Sequence, residues 1–509
     1  MKRLFALLIS LLLLTGCAAP VGESATNPAQ EKAEEPYESR FSSETLIELS
    51  DAGIKTKALS VFATNDIIYY EDRDFYESGN PYGEGGDADK HTAEEAAAHT
   101  VVNITKPGSY RITGKLSAGQ IRVDLGEDAY EDETAVVELI LDNADITCTV
   151  APAILFLNVY ECDGDWDKDT AKAEVDTSKA GANLILEGEN TVNGSYVARI
   201  YKDKEGEKKL WKQDGAIYSY MSMNVYGPGV LDLNAENEGM DTELHLTVNG
   251  GDIVIRSGND GINTNEDDVS VTTINGGNLH IMAGLGAEGD GIDSNGYLVI
   301  NGGTVISAAH PASDAGLDST CGSFIHGGTV VALGASMDWA ESDSGQVTMN
   351  LQFAHDRKPT DAIRITGDDG TEVFVYDPAA DDAVGEDARR YSGAIISCPA
   401  FKQGDTYFVY AGGEQMMYTG TDVMRHPGGK PDGVPPEGFG GQVPADADRK
   451  PPKGFEGPPP KGETPGQPGD RPEGPPPDGF GGGKDPAEGR TAFFMQDKVN
   501  FFSGLSAAE

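Results

Sequence analysis

The sequence predicts an all-β protein whose main part is a right-handed parallel β-helix, with about 25 residues and three short strands per coil. Two observations predict this fold. An Asn-Gly-Gly or His-Gly-Gly turn occurs four times, and an alternating apolar strand follows each copy, at 248–255, 274–281, 300–307 and 325–332. The gaps between strands are also rich in Gly, Asn and Asp, and they are too short for helical crossovers between parallel strands.

The first residues have the pattern of a bacterial lipoprotein signal peptide, which we assign to residues 1–16. Lys2 and Arg3 precede an apolar run that is too short to span a membrane. The sequence Leu-Thr-Gly-Cys ending at Cys17 resembles a lipobox, which implies cleavage before Cys17 and lipidation of that residue. We therefore expect a lipid-anchored protein on the extracellular face of the cell membrane. The alternative is an ordinary secretory signal with a chance cysteine.

The rest of the chain divides by composition. Residues 17–44 are rich in Ala, Glu, Ser and Pro and predict a flexible stalk. Residues 45–345 form the predicted β-helix. Residues 346–425 lose the repeat and predict a small C-terminal β module, which would cap the exposed strand edge of the last coil. The Pro- and Gly-rich segment 426–490 cannot bury a core and is predicted to be disordered, and 491–509 is a short C-terminal tail.

Composition restricts the classes of partner. The net charge is −46, from 84 acidic and 38 basic residues, so a nucleic acid partner is excluded and divalent cations are plausible. The cysteines after Cys17 show no CxxC spacing that would indicate zinc or redox chemistry. Cys148 and Cys162 could form a disulfide, although small buried apolar side chains are the simpler interpretation.

The turn motif predicts a column of amide side chains. Asn249, Asn275 and Asn301 would stack about 4.8 Å apart, and His326 would follow them. Asn tolerates the left-handed conformation of a tight turn, and stacked amides can hydrogen-bond along the axis. We interpret this column as part of the scaffold.

A second motif predicts two acidic columns. The residues that follow the core positions Met240, Ile262, Ile292 and Leu317 should point outward, because side chains alternate along a strand. They form the first column, which contains Asp241, Asn263, Asp293 and Asp318. A second column lies at the preceding bend and contains Glu238, Asp260 and Asp290. Asp314 is out of step, and Ala315 stands where the repeat leads us to expect Asp.

Stacked carboxylates repel one another, and a bound cation would relieve this repulsion. Oxygen-only ligands favour Ca²⁺ over Mg²⁺ and Zn²⁺. The candidate ligands are Asp241, Asp260, Asn263, Asp290, Asp293 and Asp318. The alternative is that Asp-Gly serves only as turn chemistry, with solvated carboxylates.

Three sets of motifs carry a family resemblance: the sequences at 110–117 and 139–146, and the Asn-Gly-Gly and Asp-Gly-Ile coils. They resemble bacterial carbohydrate-binding β-helix proteins that bind cellulose and polygalacturonate and whose fold is similar to calcium-dependent pectate lyases. The resemblance covers roughly 45–425. It implies a right-handed β-helix, bound Ca²⁺ and a plant or cell-wall polysaccharide as partner.

The predicted function is polysaccharide binding, of a pectate-like or cellulose-like glycan, without catalysis. Binding of an acidic glycan requires the metal, since a chain this negative would otherwise repel it. A lyase is the first alternative, but resembling lyases use Lys or Arg beside Ca²⁺ as the base. Between Lys212 and Arg357 only Arg256 is available, and we interpret it as a solvated surface residue. The second alternative is a surface adhesin or spacer that uses the fold only as a rod.

Overall fold

The computed structural model describes residues 37–69, 76–77, 80–81, 90–163, 166–204, 207–335, 338–381, 383–384, 387–421 and 489–508. The predicted signal peptide, Cys17, stalk residues 17–36 and the Pro- and Gly-rich residues 426–488 lie outside this part. Within it the chain is nearly all β. Its helical elements with defined bounds are α1 (Ala93–Ala97) and a one-turn 3₁₀ segment at Ala129–Glu131. No helix of the described residues is long and apolar enough to cross a membrane.

Most strands belong to three stacks, in which each strand pairs with one from the next part of the chain. The first stack contains β1 (Glu44–Leu49), β6 (Gly108–Leu116), β8 (Val137–Thr147), β10 (Ala182–Glu187), β15 (Met223–Tyr226), β18 (Leu246–Val248), β21 (Val271–Ile274), β24 (Tyr297–Ile300) and β27 (Gly322–Ile325). The second contains β11 (Glu189–Gly194), β16 (Val230–Ala235), β19 (Asp252–Ser257), β22 (Asn278–Met282), β25 (Thr304–Ala308) and β28 (Thr329–Gly334).

The third stack forms a separate sheet of nine strands. It contains β2 (Val61–Thr64), β5 (Thr100–Ile104), β7 (Gly119–Asp124), β9 (Ile154–Asn158), β14 (Gly215–Ser219), β17 (Glu238–Thr242), β20 (Ile262–Thr264), β23 (Ile292–Ser294) and β26 (Leu317–Ser319). Two hairpins stand apart from the stacks: β3 (Tyr76–Glu77) with β4 (Asn80–Pro81), and β12 (Val197–Lys204) with β13 (Glu207–Gln213).

The pairing within the stacks is parallel, apart from the antiparallel pair β2–β5. In the first stack Val248 pairs with Ile274, Ile274 with Ile300, and Ile300 with Ile325. The repeat in the sequence therefore becomes a vertical register in the structure. The predicted all-β class with mostly parallel pairing is confirmed, while the right-handed winding, the coil size and the capping role of 346–425 stay predictions.

The core lies between the stacks and is built from the apolar positions of the repeats. Met240, Ile262, Ile292 and Leu317 are fully buried in the third stack. Inward-facing apolar residues of the other two stacks, such as Ile253, Ile274 and Val305, belong to the same continuous cluster. Alternation along each strand thus directs one residue into this core and the next one away from it, which fixes the position of the acidic columns.

The turn motif works differently from our expectation. The second glycine of each copy has a positive φ, from +78° at Gly303 to +106° at Gly251, whereas none of the ladder Asn residues does. A Cβ atom at Gly277 would also lie 2.7 Å from the carbonyl oxygen of Gly251 in the neighbouring turn. Glycine therefore provides the left-handed conformation and the close stacking, and the Asn residues contribute side-chain amides.

The C-terminal strands are mostly antiparallel and have a second apolar cluster. They are β29 (Thr348–Arg357), β30 (Ile363–Gly367), β31 (Glu372–Tyr376), β32 (Tyr391–Ser397), β33 (Thr406–Ala411), β34 (Glu414–Met417), β35 (Phe493–Phe494) and β36 (Val499–Ala507). β28 pairs with β32, which joins this region to the second stack. The segment that we expected to be a short tail, 491–509, instead contains β35 and β36. Its Phe493 is fully buried, and its Phe502 is almost so, because both rings pack against Tyr418.

Candidate functional site

The third stack places the first predicted acidic column in vertical register. Asp241 pairs with Asn263, Asn263 with Asp293, and Asp293 with Asp318. The expected outward exposure is wrong for half of this column, since Asp241 is fully buried and Asn263 is 5% exposed. Asp293 and Asp318 are half-buried. The physical reason is that Asp214 and the backbone of Gly215, on the neighbouring rung, lie against Asp241: a Cβ atom at Gly215 would be only 2.7 Å from that of Asp241.

Three buried carboxylates converge at the covered end. Asp214, Glu238 and Asp241 each offer an oxygen atom, and these atoms all lie within 4.8 Å of one another. Glu238 and Asp241 come from β17, and Asp214 immediately precedes β14 on the adjacent rung, where Gly215 pairs with Glu238. We call these three residues the carboxylate cluster.

Several oxygens at the cluster lack a hydrogen-bond partner. These are Oε2 of Glu238, Oδ2 of Asp241 and Oδ1 of Asn263, all buried. The other carboxylate oxygen of Asp241 accepts a hydrogen bond from the side-chain amide of Asn265. Buried oxygen atoms without a donor are costly, at about 1–3 kcal/mol each, and charged ones cost more. The unpartnered oxygens of the cluster would therefore be stabilised by a positive charge.

Lys212 supplies part of that charge. Its ammonium group lies 2.7 Å from Oδ2 of Asp214 and donates to Oδ1 of Asn265 at 3.1 Å. Burial opposes its charge, but the surrounding carboxylates overcome this and hold the pKa of Lys212 well above its ordinary value. One ammonium group nevertheless faces three carboxylates, so the charge of the cluster is only partly neutralised.

The pKa values of the cluster reflect this imbalance. Burial, reinforced by the charge of Asp214, raises the pKa of Glu238 to about 7. Burial and the charge of Glu238 raise the pKa of Asp241 well above its ordinary value. Protons and cations therefore compete for the same oxygens.

The second predicted column is divided: Glu238 belongs to the carboxylate cluster, whereas Asp260 and Asp290 make contacts between coils. Oδ1 of Asp260 accepts the backbone N–H of Asp290 at 2.6 Å, and Oδ1 of Asp290 accepts the N–H of Ala315 at 2.5 Å. Each of these two carboxylates therefore fastens its coil to the next one, and neither is the fully solvated turn carboxylate that the alternative for Asp-Gly describes. Burial, followed by the charges of neighbouring acids, raises the pKa of both groups well above the ordinary range.

The less buried end of the first column contains another acid that the repeats do not reveal. Asp338 accepts the backbone N–H of Ser319 at 3.0 Å through Oδ2. Burial and the charge of Asp318 raise the pKa of Asp338 to about 8. A second group of closely spaced carboxylates therefore lies where the column approaches the surface.

The residues of the carboxylate cluster fit a hard cation. Their donors are all oxygen and they carry several negative charges, which is the donor chemistry of Ca²⁺. Two of their buried oxygens, on Glu238 and Asp241, lack partners. Of the six predicted ligands, Asp241 belongs to the cluster, and Asn263 directs an unpartnered oxygen into the same region. Sequence reasoning missed Asp214 and Lys212, because Lys212 lies near the end of β13 and Asp214 directly follows it, and the β12–β13 hairpin interrupts the repeat.

Arg256 is not the solvated surface residue that we expected. Its guanidinium group forms ion pairs with Asp232 at 3.0 Å and Asp387 at 3.3 Å, and it donates to the carbonyl of Ala383 at 2.8 Å. It thus ties the second stack to the C-terminal region.

The four cysteines within the described residues, Cys148, Cys162, Cys321 and Cys398, are free thiols.

The structure therefore defines an all-β protein of mostly parallel sheets with a buried acidic cluster. The sequence profile of the family described as carbohydrate-binding domain-containing protein matches residues 98–352, and the chain belongs to this family.

Two further comparisons give proteins to which this chain is similar. A carbohydrate-binding domain-containing protein from Acetivibrio thermocellus is 29% identical over 176 residues, which are 34% of this chain and 51% of that protein. The chain thus matches about half the length of this relative. The solved structure of a polysaccharide lyase-like protein from C. thermocellum, a gadolinium derivative, aligns at 21% identity and a TM-score of 0.32. The alignment covers 56% of this chain and 93% of that one.

Proposed function

We propose that this chain is a calcium-dependent polysaccharide-binding protein that acts without catalysis. It would present a right-handed parallel β-helix on the extracellular face of a bacterial cell membrane, anchored by lipid at Cys17. Membership of the carbohydrate-binding family supports the ligand class. The observation that carries the metal is the set of three buried, unpartnered oxygens on Glu238, Asp241 and Asn263.

A cation at the carboxylate cluster would act on the scaffold. The cluster is buried, so an ion held by Asp214, Glu238 and Asp241 would neutralise adjacent rungs and stabilise their stacking. A calcium ion that contacts an acidic glycan must keep coordination positions open to the glycan. The half-buried carboxylates of Asp293 and Asp318 could hold such an ion near the surface. A calcium ion there would bridge to the carboxylate of a pectate-like chain.

The contacts of the basic residues support binding over catalysis. A lyase requires a basic group free to take the proton next to the uronate carboxylate. Lys212 is engaged by Asp214 and Asn265, and Arg256 is engaged by Asp232 and Asp387. Both residues therefore serve as charge partners of the fold.

The metal proposal is tested by calorimetric titration of the chelator-treated protein with Ca²⁺. The Glu238→Gln variant is expected to bind calcium at least about tenfold more weakly, because one charged ligand is lost. Glu189→Gln is the matched control, since Glu189 is exposed on β11, and it should bind like the parent protein. Unchanged affinity in Glu238→Gln would remove the cluster as the metal site.

The ligand proposal is tested with polygalacturonate and cellulose in calcium and in EDTA. We expect retention of polygalacturonate that EDTA abolishes, with no ultraviolet-absorbing unsaturated product. Formation of that product in calcium would establish the lyase instead. If the protein retains neither glycan, the adhesin or spacer alternative, in which the fold serves only as a rod, is favoured.

The anchor is tested in cells by metabolic labelling with a fatty acid. The parent chain should incorporate the label and sediment with membranes, whereas Cys17→Ser should do neither. Equal labelling of both chains would rule out a lipid at Cys17.

A further inference from the structure

A cleft lies along the first stack, on a different sheet from the carboxylate cluster. Its volume is about 730 Å³. Its floor consists of outward-facing side chains of successive rungs, and the segment 173–178 forms one wall.

The Asn ladder runs through this cleft. The side-chain amide of Asn275 donates to Oδ1 of Asn249 at 2.9 Å, and that of Asn301 donates to Oδ1 of Asn275 at 2.9 Å. Asn275 and Asn301 are exposed. An amide group has two N–H donors and two acceptor lone pairs, so each rung keeps hydrogen-bonding capacity after the ladder bonds are made. The cleft therefore repeats one donor–acceptor pair at intervals of about 4.8 Å.

Aromatic rings stand at both ends of the ladder. Tyr226 precedes Asn249 in the same column, because Val225 pairs with Val248, and His326 follows Asn301. On the last rung the ring of Phe324 lies beside that of His326, with centroids 6.3 Å apart and planes 24° apart. Four steps of about 4.8 Å separate Tyr226 from His326, a length that accommodates several pyranose units.

The wall of the cleft is fixed to its floor. The hydroxyl of Thr177 donates to Oδ1 of Asn224 at 2.7 Å and lies 2.7 Å from the hydroxyl of Thr247. The amide of Asn224 donates back to the carbonyl of Thr177 at 2.8 Å. Because these contacts are buried, the cleft is formed before any ligand arrives, which lowers the entropic cost of binding.

The charges of the lining select the kind of ligand. Its charged groups are carboxylates, on Glu174, Asp176 and Asp343, and among the described residues neither Lys nor Arg lines it. A polyuronate would be repelled by these acids. A neutral glycan meets hydrogen-bonding groups for its hydroxyls and aromatic faces for the C–H faces of its rings.

We propose that this cleft binds a neutral polysaccharide chain lying along the ladder from Tyr226 to Phe324. The inference rests on the proposed polysaccharide-binding function and assigns it a second surface, separate from the calcium-dependent contact with acidic glycans. Stacked amides would then hold both the coils and the ligand.

The test is calorimetric titration with cellohexaose, always in calcium. The double variant Asn275→Ala/Asn301→Ala should bind about tenfold more weakly, because two rungs of hydrogen-bonding groups are lost. Phe324→Leu leaves the ladder intact and should also weaken binding. The control is Asn278→Ala, because Asn278 is exposed on the same coil but lies outside the cleft. Thermal melting establishes that each variant is folded.

The outcomes separate this inference from the proposed function. Weaker cellohexaose binding in both cleft variants, with an unchanged control and unchanged polygalacturonate binding, supports the cleft. If the parent binds cellohexaose and the variants bind it equally well, the cleft is wrong and the function stands. The same holds if the parent binds only polygalacturonate. If the parent binds neither glycan, both proposals fail.

Discussion

The carboxyl groups of the acidic columns fall into two kinds, those that hydrogen-bond to the next coil and those that keep unpartnered oxygens. The sequence repeat alone does not distinguish the two kinds. Asp260 and Asp290 accept backbone N–H groups of the next coil, whereas Glu238 and Asp241 keep oxygens without donors. The vertical register of the first acidic column could be predicted, because each of its members follows a core position of the repeat. These members are Asp241, Asn263, Asp293 and Asp318. Their burial could not be predicted, since it depends on Lys212 and Asp214, which lie outside the repeat.

Calcium affinity should rise with pH, through Glu238. Its pKa is raised from 4.5 to about 7, so the folded state holds this proton more tightly than the unfolded chain. The resulting stabilisation is complete below pH 4.5 and is lost as the pH rises through about 7, which amounts to roughly 3 kcal/mol. The calcium-free protein should therefore be less stable at pH 8 than at pH 5, and calcium should offset the loss.

Chemical denaturation at several pH values, with and without calcium, measures this effect. Glu238→Gln removes one titrating group and should reduce the difference between pH 5 and pH 8 in EDTA, while the other buried acids, such as Asp338, keep part of it. A parent protein and a variant with the same pH profile would contradict the assignment.

Asp290→Asn should destabilise the protein less than Asp290→Ala does. Asp290→Ala leaves the buried N–H of Ala315 without its acceptor and should cost about 1–3 kcal/mol. Asp290→Asn keeps an acceptor oxygen and removes a charge close to Asp318 and Asp293, so it should cost less. Urea denaturation of the two variants in EDTA makes the comparison. Equal losses would show that the charge, and not the hydrogen bond, matters.

At the scale of single elements, the turn between strands sets how closely the coils stack. The sequence predicted the positions of four turns, because Asn-Gly-Gly or His-Gly-Gly precedes each of the four repeated apolar strands. It did not show which residue takes the left-handed conformation, since Asn and Gly both tolerate it. The structure assigns it to the second glycine, where the next turn approaches closely.

Gly277→Ala should destabilise the protein more than Gly370→Ala. The two glycines have nearly the same φ, +85° and +82°. A Cβ at Gly277 would lie 2.7 Å from the carbonyl oxygen of Gly251, whereas one at Gly370 would meet nothing within 4 Å. Both substitutions introduce backbone strain of about 1–2 kcal/mol. The difference between their effects on stability therefore measures the contact between neighbouring turns. Melting temperatures provide the measurement, and equal shifts would show that stacking is looser than described.

On the scale of the whole molecule, the stacks could be predicted and the closure of the C-terminal region could not. Parallel pairing between repeats follows from sequence periodicity. The pairing of β29 with β36 joins Thr348 to Val499 and has no periodic signal. The apolar residues of 491–509 could have indicated burial, but their partners lie too far away in sequence to be identified.

Removal of residues 489–509 should destabilise the C-terminal region severely. The deletion exposes the apolar partners of Phe493 and Phe502, including Tyr418, and each buried aromatic contributes several kcal/mol. An internal deletion of 431–480, which keeps 489–509 attached, is the control and should leave the melting temperature unchanged. Limited proteolysis and thermal melting compare the two chains, and equal resistance would contradict the structural role of β35 and β36.

The long-range pairing of β29 with β36 also has a consequence for the order of folding. Each strand of the stacks pairs with a strand from the next part of the chain, so the stacks can form progressively while the chain is being synthesised. β29 cannot complete its pairing until residues 499–505 have emerged. The entropic cost of closing such a loop grows only slowly with its length, so the intervening segment delays this step more than it weakens the final contact. The region should therefore be most open to proteases during biogenesis, after the coils have formed and before the final strand has docked.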